Sequence, residues 1–307
     1  MPTLQQFRYL VAVADCLHFR RAAESVHVTQ PTLSAQLREL EEKLGVQLVE
    51  RSRAGVTLTP IGREVADRAR GVLRDVADIA ALARAGANPF DGTIRVGIVG
   101  SLGGYFLPLI LPTLHDTYPR LKFYVREGLA ADLMGRLRDG SLDLLFFPLP
   151  VEEPGLIHVP LFHEPLLVVM PSDHPLAACD PVPPDGLRGE TVMTLETGHR
   201  LHDTVAELAL ATGATLSLDY EGTSLDTLRQ MVATGLGLSV LPALYVRSEV
   251  TRADLVTARP LPEPQPGRDI ALVWRKTAAQ GGAFERLARD IREILRAAAP
   301  EVTVIDG

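Results

Sequence analysis

The chain has 307 residues, 46% of them hydrophobic, enough for two or three packed domains. Its net charge of −7 is unevenly spread: residues 1–87 carry 12 Lys+Arg against 10 Asp+Glu, and the remaining residues 19 against 28, so the acidic excess lies outside the N-terminal part. No apolar run reaches the length of a membrane span, the N-terminus lacks the order of a signal peptide, and Cys16 and Cys179 have no CxxC spacing. The expectation is a cytoplasmic protein with two reduced thiols, no membrane partner, no resident metal and no cofactor.

Leu4, Phe7, Leu10, Val11 and Ala14 keep a helical apolar period at the start of the chain. A short second helix follows with Ala22, Ala23 and Val26 inward, then a third with Leu33, Leu37, Leu40 and Leu44 at spacings of four, three and four. Between them Thr29 is suited to cap the third helix and Pro31 to its first turn, where a missing N–H costs nothing. This is a helix-turn-helix. Its outer face carries Gln30, Thr32, Ser34, Gln36 and Arg38, side chains suited to base edges and phosphates, and Arg20 and Arg21 add cations at the preceding helix. The interface expected on DNA thus comprises Arg20, Arg21, Thr29, Gln30, Pro31, Thr32, Ser34, Gln36 and Arg38, with Arg51 and Arg53 from the next element. A helical hairpin with a merely solvated polar face is the competing reading.

Gly45 ends the third helix. Val46–Glu50 and Val56–Leu58 then form a two-stranded wing with Arg51 and Arg53 at its tip, as phosphate or minor-groove contacts or simply as solubilising charges. Thr59-Pro60 opens a long helix to about Ala85, along which Ile61, Val65, Ala69, Val72, Val76, Ile79 and Ala83 make a heptad-like seam. A helix between two domains has little else to lie against, so the seam points to a homodimer whose two reading heads meet a pseudo-palindromic duplex site. Residues 86–92 read as a hinge.

Beyond the hinge, strands and helices alternate. Strands are expected at Thr93–Val99, Leu121–Glu127, Leu142–Phe147, Pro165–Met170, Thr191–Leu195, Leu216–Tyr220, Leu238–Leu241 and Ile270–Trp274. Helices are expected at Gly104–Thr117, Leu129–Asp139, His202–Ala211, Ser224–Thr234 and Gly282–Ala298, and the alternation implies parallel sheet. The fold class is therefore α/β overall: a winged helix-turn-helix over 1–59, a linker helix over 60–87 and a two-lobed α/β domain. The first lobe comprises 92–163 plus 269–300 and the second 164–268, with a small-molecule cleft between them.

Phe19 to Gly45 resembles the LysR-type transcriptional regulators, whose pattern F-x-x-A-A-E/D-x-x-x-V-T/S-Q-P-T/A-L-S-x-Q-L-R-E/K-L-E-x-x-L-G it matches. The resemblance covers the whole chain, and implies a DNA-binding regulator with a periplasmic-binding-protein-like effector domain, commonly a tetramer built from dimers. More narrowly, His18–Ala23, Leu161–Pro165, Leu195–His199, Thr223–Arg229 and Leu241–Leu244 resemble the peroxide-responsive OxyR branch. In that branch a reactive cysteine follows the histidine of the Gly-His segment and a resolving cysteine lies on the next helix; the corresponding positions here are Arg200 and Ala209. A guanidinium forms neither a sulfenic acid nor a disulfide.

The reading placed first is accordingly a regulator whose signal is not cysteine–disulfide switching. Its effector is a small anion or carboxylate held by Arg200 with Ser101, Leu102, His199 and Thr223, the positions at helix starts where family ligands are held. Against this stands an Arg200 that merely ion-pairs with Asp203 or Glu196. A second reading keeps peroxide as the signal, through Cys179 as a relocated thiol or through direct oxidant binding; a third is a two-lobed binding protein with no DNA role. An enzyme is not expected: Val99 stands where a Gly-x-Ser-x-Gly elbow at Ser101 needs glycine, phosphate loops are missing, and His199-x-x-His202-Asp203 lacks a partner motif for a metal.

Overall fold

The computed structural model describes residues 1–52, 55–84, 90–217, 219–220, 222–251 and 255–306. They divide into two units, Met1–Ala87 and Asn88–Gly307. Arg53 and the expected hinge residues 86–89 lie outside the described residues.

The N-terminal unit contains α1 (Leu4–Cys16), α2 (Phe19–Ser25), α3 (Gln30–Leu44), β1 (Val49–Ser52), β2 (Gly55–Leu58) and α4 (Pro60–Arg84). Its core takes Leu10, Ala22, Leu33, Leu37 and Leu40 from the expected stripes, all almost solvent-free. Burying each such leucine contributes about 1.5–3 kcal/mol. The buried side of α1, however, is Gln6, Tyr9, Leu10, Ala12 and Val13, whereas Leu4 is exposed and Phe7, Val11 and Ala14 are half-buried, so the inner face of that helix is turned from the one expected. A capping box fixes the start of α1: Thr3 Oγ1 accepts from Gln6 N–H and Gln6 Oε1 from Thr3 N–H. At the far end of α3, Gly45 takes the left-handed conformation at φ 68°, as a helix-ending glycine does.

β1 and β2 pair antiparallel from Val49↔Leu58 to Ser52↔Gly55. Glu41 ties this wing to α3, its Oε1 accepting the N–H groups of Leu48 and Val49 at 2.8 and 3.0 Å. Thr59 Oγ1 caps α4 by accepting from Gly62 N–H at 2.9 Å. Gly62 is required there, because a Cβ would sit 2.0 Å from the Leu48 carbonyl oxygen. Along the α4 seam Ala69 is buried and Val65 half-buried, whereas Ile61, Val72, Val76 and Ile79 are exposed. Ala83's side chain lies outside the described residues.

The C-terminal unit contains β3 (Gly92–Val99), α5 (Gly100–Thr117), β4 (Leu121–Gly128), α6 (Ala130–Arg138), β5 (Leu144–Pro148), β6 (Leu156–Pro171), β7 (Thr191–Met193), α7 (Arg200–Thr212), β8 (Thr215–Leu216), α8 (Leu225–Ala233), β9 (Leu238–Pro242), the single turn α9 (Ala243–Tyr245), β10 (Val256–Arg259), β11 (Gly267–Arg275), α10 (Gly281–Ala298) and β12 (Thr303–Val304). The strand order is β4-β3-β5-β11-β6-β9-β7-β8, with β10 and β12 also on β6. Phe90, at the edge of the expected hinge, is core instead: it is 1% exposed and its ring lies 4.1 Å from that of Tyr118.

The expectation of parallel sheet holds only inside the lobes. β3 pairs parallel with β4 and β5, and β7 with β8 and β9, but β11 runs antiparallel to β5 and β6, and β6 antiparallel to β9 and β10. The two crossing strands return the chain between lobes, which reverses their direction. β6 is 16 residues long rather than six: its first part pairs with β11 and its last part with β9 and β10. The expected lobe limits at 163/164 and 268/269 therefore fall inside continuous strands.

Each lobe has its own core. The first gathers Phe106, Phe146, Phe162, Trp274 and Phe284, with α10 returning to it from the end of the chain. The second is built around Leu166, Val192, Leu201, Val205, Leu228 and Tyr245.

Candidate nucleic-acid interface and effector cleft

The helix expected to read DNA is presented as its sequence requires. Thr29 Oγ1 accepts from Thr32 N–H at 3.4 Å and shares a 2.8 Å hydroxyl contact with Thr32, while Pro31 occupies the first turn of α3. With Leu33, Leu37 and Leu40 inward, Thr29, Gln30, Pro31, Thr32 and Arg38 are exposed, as are Arg20 and Arg21 on α2. Arg20 is engaged by Glu24 at 3.1 Å, whereas Arg38 has no hydrogen-bond or ion-pair partner among the described residues.

Two members of the expected set are placed differently. Ser34, only 6% exposed, belongs to the inner side of α3 and not to its outer face, because it follows Leu33 on the buried edge of the apolar stripe. Gln36 is half-buried: its Oε1 accepts from Gln6 Nε2 at 3.4 Å and its Nε2 donates to Glu39 at 3.0 Å. Arg51 lies in β1 opposite Val56.

In the C-terminal unit the strongest polar feature is buried where β6, β11 and α5 meet. Glu164 is fully buried; its Oε2 accepts from Arg268 Nε at 2.9 Å, and its Oε1 accepts from the Leu244 N–H at 3.0 Å. Arg268 Nη1 donates to Ser101 Oγ at 2.7 Å and Nη2 to the Ser101 carbonyl at 2.9 Å. This arrangement satisfies the buried charges, without which they would be severely destabilising. It also corrects the place given to Ser101, whose hydroxyl is held by a protein guanidinium. Leu102 is corrected too: it is solvent-free in the core of the first lobe.

His199 stands at the N-cap of α7 without making a cap bond. Its side chain is 10% exposed and its Nε2 is buried with no hydrogen-bond partner, 4.0 Å from Glu196 Oε1. Burial pushes the imidazole pKa below its usual value, the Glu196 charge opposing and the His202 charge assisting. His202 Nδ1 donates to the Leu195 carbonyl at 2.7 Å. Thr223 is exposed, and the capping residue of α8 is its neighbour Ser224, whose Oγ accepts from Thr227 N–H.

Arg200, the first residue of α7, pairs with neither Glu196 nor Asp203; its Nη2 donates to the Pro150 carbonyl at 2.7 Å. It lines a cleft of about 470 Å³ formed by Pro148–Pro150 after β5, His163 of β6, Gly267–Asp269 of β11, and Asp203, Thr204 and Glu207 of α7. Of the expected effector set, only Arg200 lines this cleft. Of the charged residues lining the cleft beside Arg200, only Asp203 had been weighed; His163, Glu207, Arg268 and Asp269 were not anticipated, nor was Glu164 as the partner of Arg268, although a charge within an apolar stretch, as at Glu164, is a signal that could have been used.

Both thiols are free and half-buried, Cys16 at the end of α1 and Cys179 after the single turn Pro175–Ala178. Ala209 is buried on the inner side of α7. No helix among the described residues is long and apolar enough to cross a membrane.

Residues 87–296 match the LysR substrate binding domain, and residues 4–63 match the bacterial regulatory helix-turn-helix protein, lysR family. The chain is a LysR-type transcriptional regulator. It is a DNA-binding protein, not an enzyme. The regulator is 42% identical over 289 residues to the DNA-binding transcriptional dual regulator OxyR of Escherichia coli (strain K12), covering 94% of each chain. It is 39% identical over 296 residues to the probable hydrogen peroxide-inducible genes activator of Streptomyces viridosporus, covering 96% of this chain and 95% of the other. Among solved structures, a full-length Pseudomonas aeruginosa OxyR with a cysteine-to-aspartate substitution superposes with a TM-score of 0.80 at 38% identity, over 97% of this chain and 98% of that one. A cysteine-to-serine mutant of Corynebacterium glutamicum OxyR with bound H2O2 gives 0.67 at 32% identity, over 97% and 94%.

Proposed function

We propose that this LysR-type regulator controls genes of a peroxide response. The observation that carries the reading is near-full-length identity to OxyR and to hydrogen peroxide-inducible genes activators, which outweighs the non-redox signal placed first on sequence grounds. Arg200 restricts the chemistry: no sulfenic acid or disulfide forms at that position. Two entries for the oxidant remain. A Cys179 thiolate attacking H2O2 becomes a sulfenic acid and releases hydroxide, or peroxide is bound without reacting. The H2O2-bound cysteine-to-serine relative supports the second route, since a relative with a substituted cysteine holds the oxidant.

In this reading the head, residues 1–59, places Gln30, Thr32 and Arg38 on DNA with Arg20, Arg21 and Arg51 on phosphates. The linker, residues 60–87, pairs two copies through the exposed Val72, Val76 and Ile79, and dimers associate as tetramers. Rearrangement of the lobes, 92–163 plus 269–300 against 164–268, then changes the spacing of the heads and the bend of the site.

Footprinting of the full chain on an interrupted inverted repeat, with and without H2O2, tests the proposal. Peroxide is expected to shift the protected region. An unchanged footprint at oxidant concentrations that shift an OxyR relative overturns it. Loss of the shift in Cys179→Ser assigns the thiol route, and its persistence in a variant with both Cys16→Ser and Cys179→Ser assigns direct binding.

A further inference from the structure

We infer that Gln6, a residue of α1 and not of the reading helix, is a positioning residue for DNA recognition: it completes a closed ring of four side chains that fixes the rotation of α3. The inference rests on DNA binding by the head and is independent of the signal that the effector unit receives.

Gln6 is 1% exposed, and its amide reaches three partners. Its Oε1 accepts from Thr3 N–H at 3.1 Å and from Lys43 Nζ at 3.4 Å, and its Nε2 donates to Gln36 Oε1 at 3.4 Å. Gln36 Nε2 donates in turn to Glu39 Oε2 at 3.0 Å, and Lys43 Nζ lies 2.7 Å from Glu39 Oε1. The circuit from Gln6 through Gln36, Glu39 and Lys43 back to Gln6 is therefore complete, with one member on α1 and three along one flank of α3. Lys43 holds the Glu39 carboxyl below the usual carboxylate range, which keeps that member of the ring charged.

An amide at a site where leucine or methionine would pack is tolerated only when its hydrogen bonds are made. What it adds is direction. The apolar contacts of Leu33, Leu37 and Leu40 hold α3 in the head but are non-directional, so they resist a small turn of the helix weakly. Hydrogen bonds are directional, and a closed set of them selects one rotation. Gln36 stands one turn along from Thr32 on the same flank, and Thr32, with Gln30 and Arg38, belongs to the set placed on DNA. A rotation of α3 by about 20° moves side-chain tips about 5–6 Å from its axis by about 2 Å, enough to break a hydrogen bond to a base edge. The far end of α1 is bonded to α4, where Arg70 meets Asp15 at 2.5 Å. α1 thus joins the reading helix to the linker helix with a polar joint near each of its ends.

Fluorescence anisotropy of the full-length protein tests this, comparing the duplex that it protects in footprinting with a scrambled duplex of the same length and composition. Gln6→Met keeps nearly the same volume and removes all three amide bonds. It is expected to weaken the specific site about fivefold to twentyfold, the cost of one spoiled base contact. Affinity for the scrambled duplex should change by less than about twofold, with the salt slope unchanged. Gln36→Met, which opens the same ring, should cost about as much, and the double variant little more than either. Hydrogen exchange at the Leu33 and Leu37 amides reads the fold of the head in each variant. If Gln6→Met loosens those amides, Lys43→Met opens the ring at a side chain that is 27% exposed, and the ratio of the two affinities decides, because a lost charge weakens both duplexes alike. A ratio that falls at least about threefold supports the inference, and an unchanged ratio overturns it. Equal losses on both duplexes, no loss on either, or losses of the two glutamine variants that add in full also overturn it.

Discussion

Removing the carboxylate of Glu164 should destabilise the effector unit more than almost any other single polar change. In Glu164→Ala the Arg268 guanidinium, whose side chain is 5% exposed, keeps its bonds to Ser101 but loses its only counter-charge, and the Leu244 N–H loses its acceptor. Breaking one side of a buried ion pair costs about 3–5 kcal/mol. For a unit of this size each kcal/mol moves the midpoint by about 2–4 °C, so the melting temperature should fall by about 6–20 °C. Urea unfolding followed by the fluorescence of Trp274, the only tryptophan and 1% exposed in the first-lobe core, reads this unit directly. Replacing the pair together, Glu164→Leu with Arg268→Met, should recover most of the loss, since an apolar pair of similar volume has no charge to desolvate. A cost below about 1 kcal/mol for Glu164→Ala, or a double variant no more stable than the single, would refute the view that charge compensation holds this site together.

Glu41→Ala should free the Leu48 and Val49 N–H groups and loosen the wing by about 1–3 kcal/mol, seen as faster hydrogen exchange at those two amides with little change in α1. Arg38→Ala, which removes an exposed unpaired cation, should weaken DNA binding across sequences and lower the slope of log affinity against log salt by about one, as measured by fluorescence anisotropy. His199, with a pKa depressed by burial, is neutral in both states above its unfolded value of 6.5; below that the unfolded chain takes up a proton first, so stability falls as pH drops. His199→Gln should flatten stability between pH 6.5 and the lower native value, and an unchanged urea midpoint profile across that range would contradict the assignment.

The head was legible because everything that defines it is local: a helical period, Thr29 and Pro31 at one end of α3, Gly45 at the other. Ser34 and Gln36 were misplaced because the outer face was assigned by residue chemistry: the apolar stripe beside Leu33 is wide enough to include Ser34, and Gln36 is engaged by Gln6 and Glu39. In the two-lobed unit most strands were found but β6 was cut to its later part, Pro165–Met170, and the stretch from Leu156 that contains Pro160 was missed. Pro160 in fact lies opposite Ala271 where the β6–β11 register shifts, a place where a missing N–H is tolerated. The buried network at Glu164 could not be reached this way. Ser101, Glu164, Leu244 and Arg268 meet from distant parts of the chain, and only pairing of β6 with β11 brings them together. Arg200 was recognised as a charge near the lobe junction, with Asp203 weighed as its partner, whereas the carbonyl of Pro150 that it actually meets is brought to it only by packing between lobes.

Because β6 and β11 run unbroken through that junction, the lobes are not beads on flexible cords. Any reorientation must be taken up as torsion of a hydrogen-bonded ribbon, and the register shift at Ile270/Ala271 is the place where such a ribbon yields most easily. A rearrangement of the lobes would then be carried as a change of twist in that paired ribbon, not as a free swing.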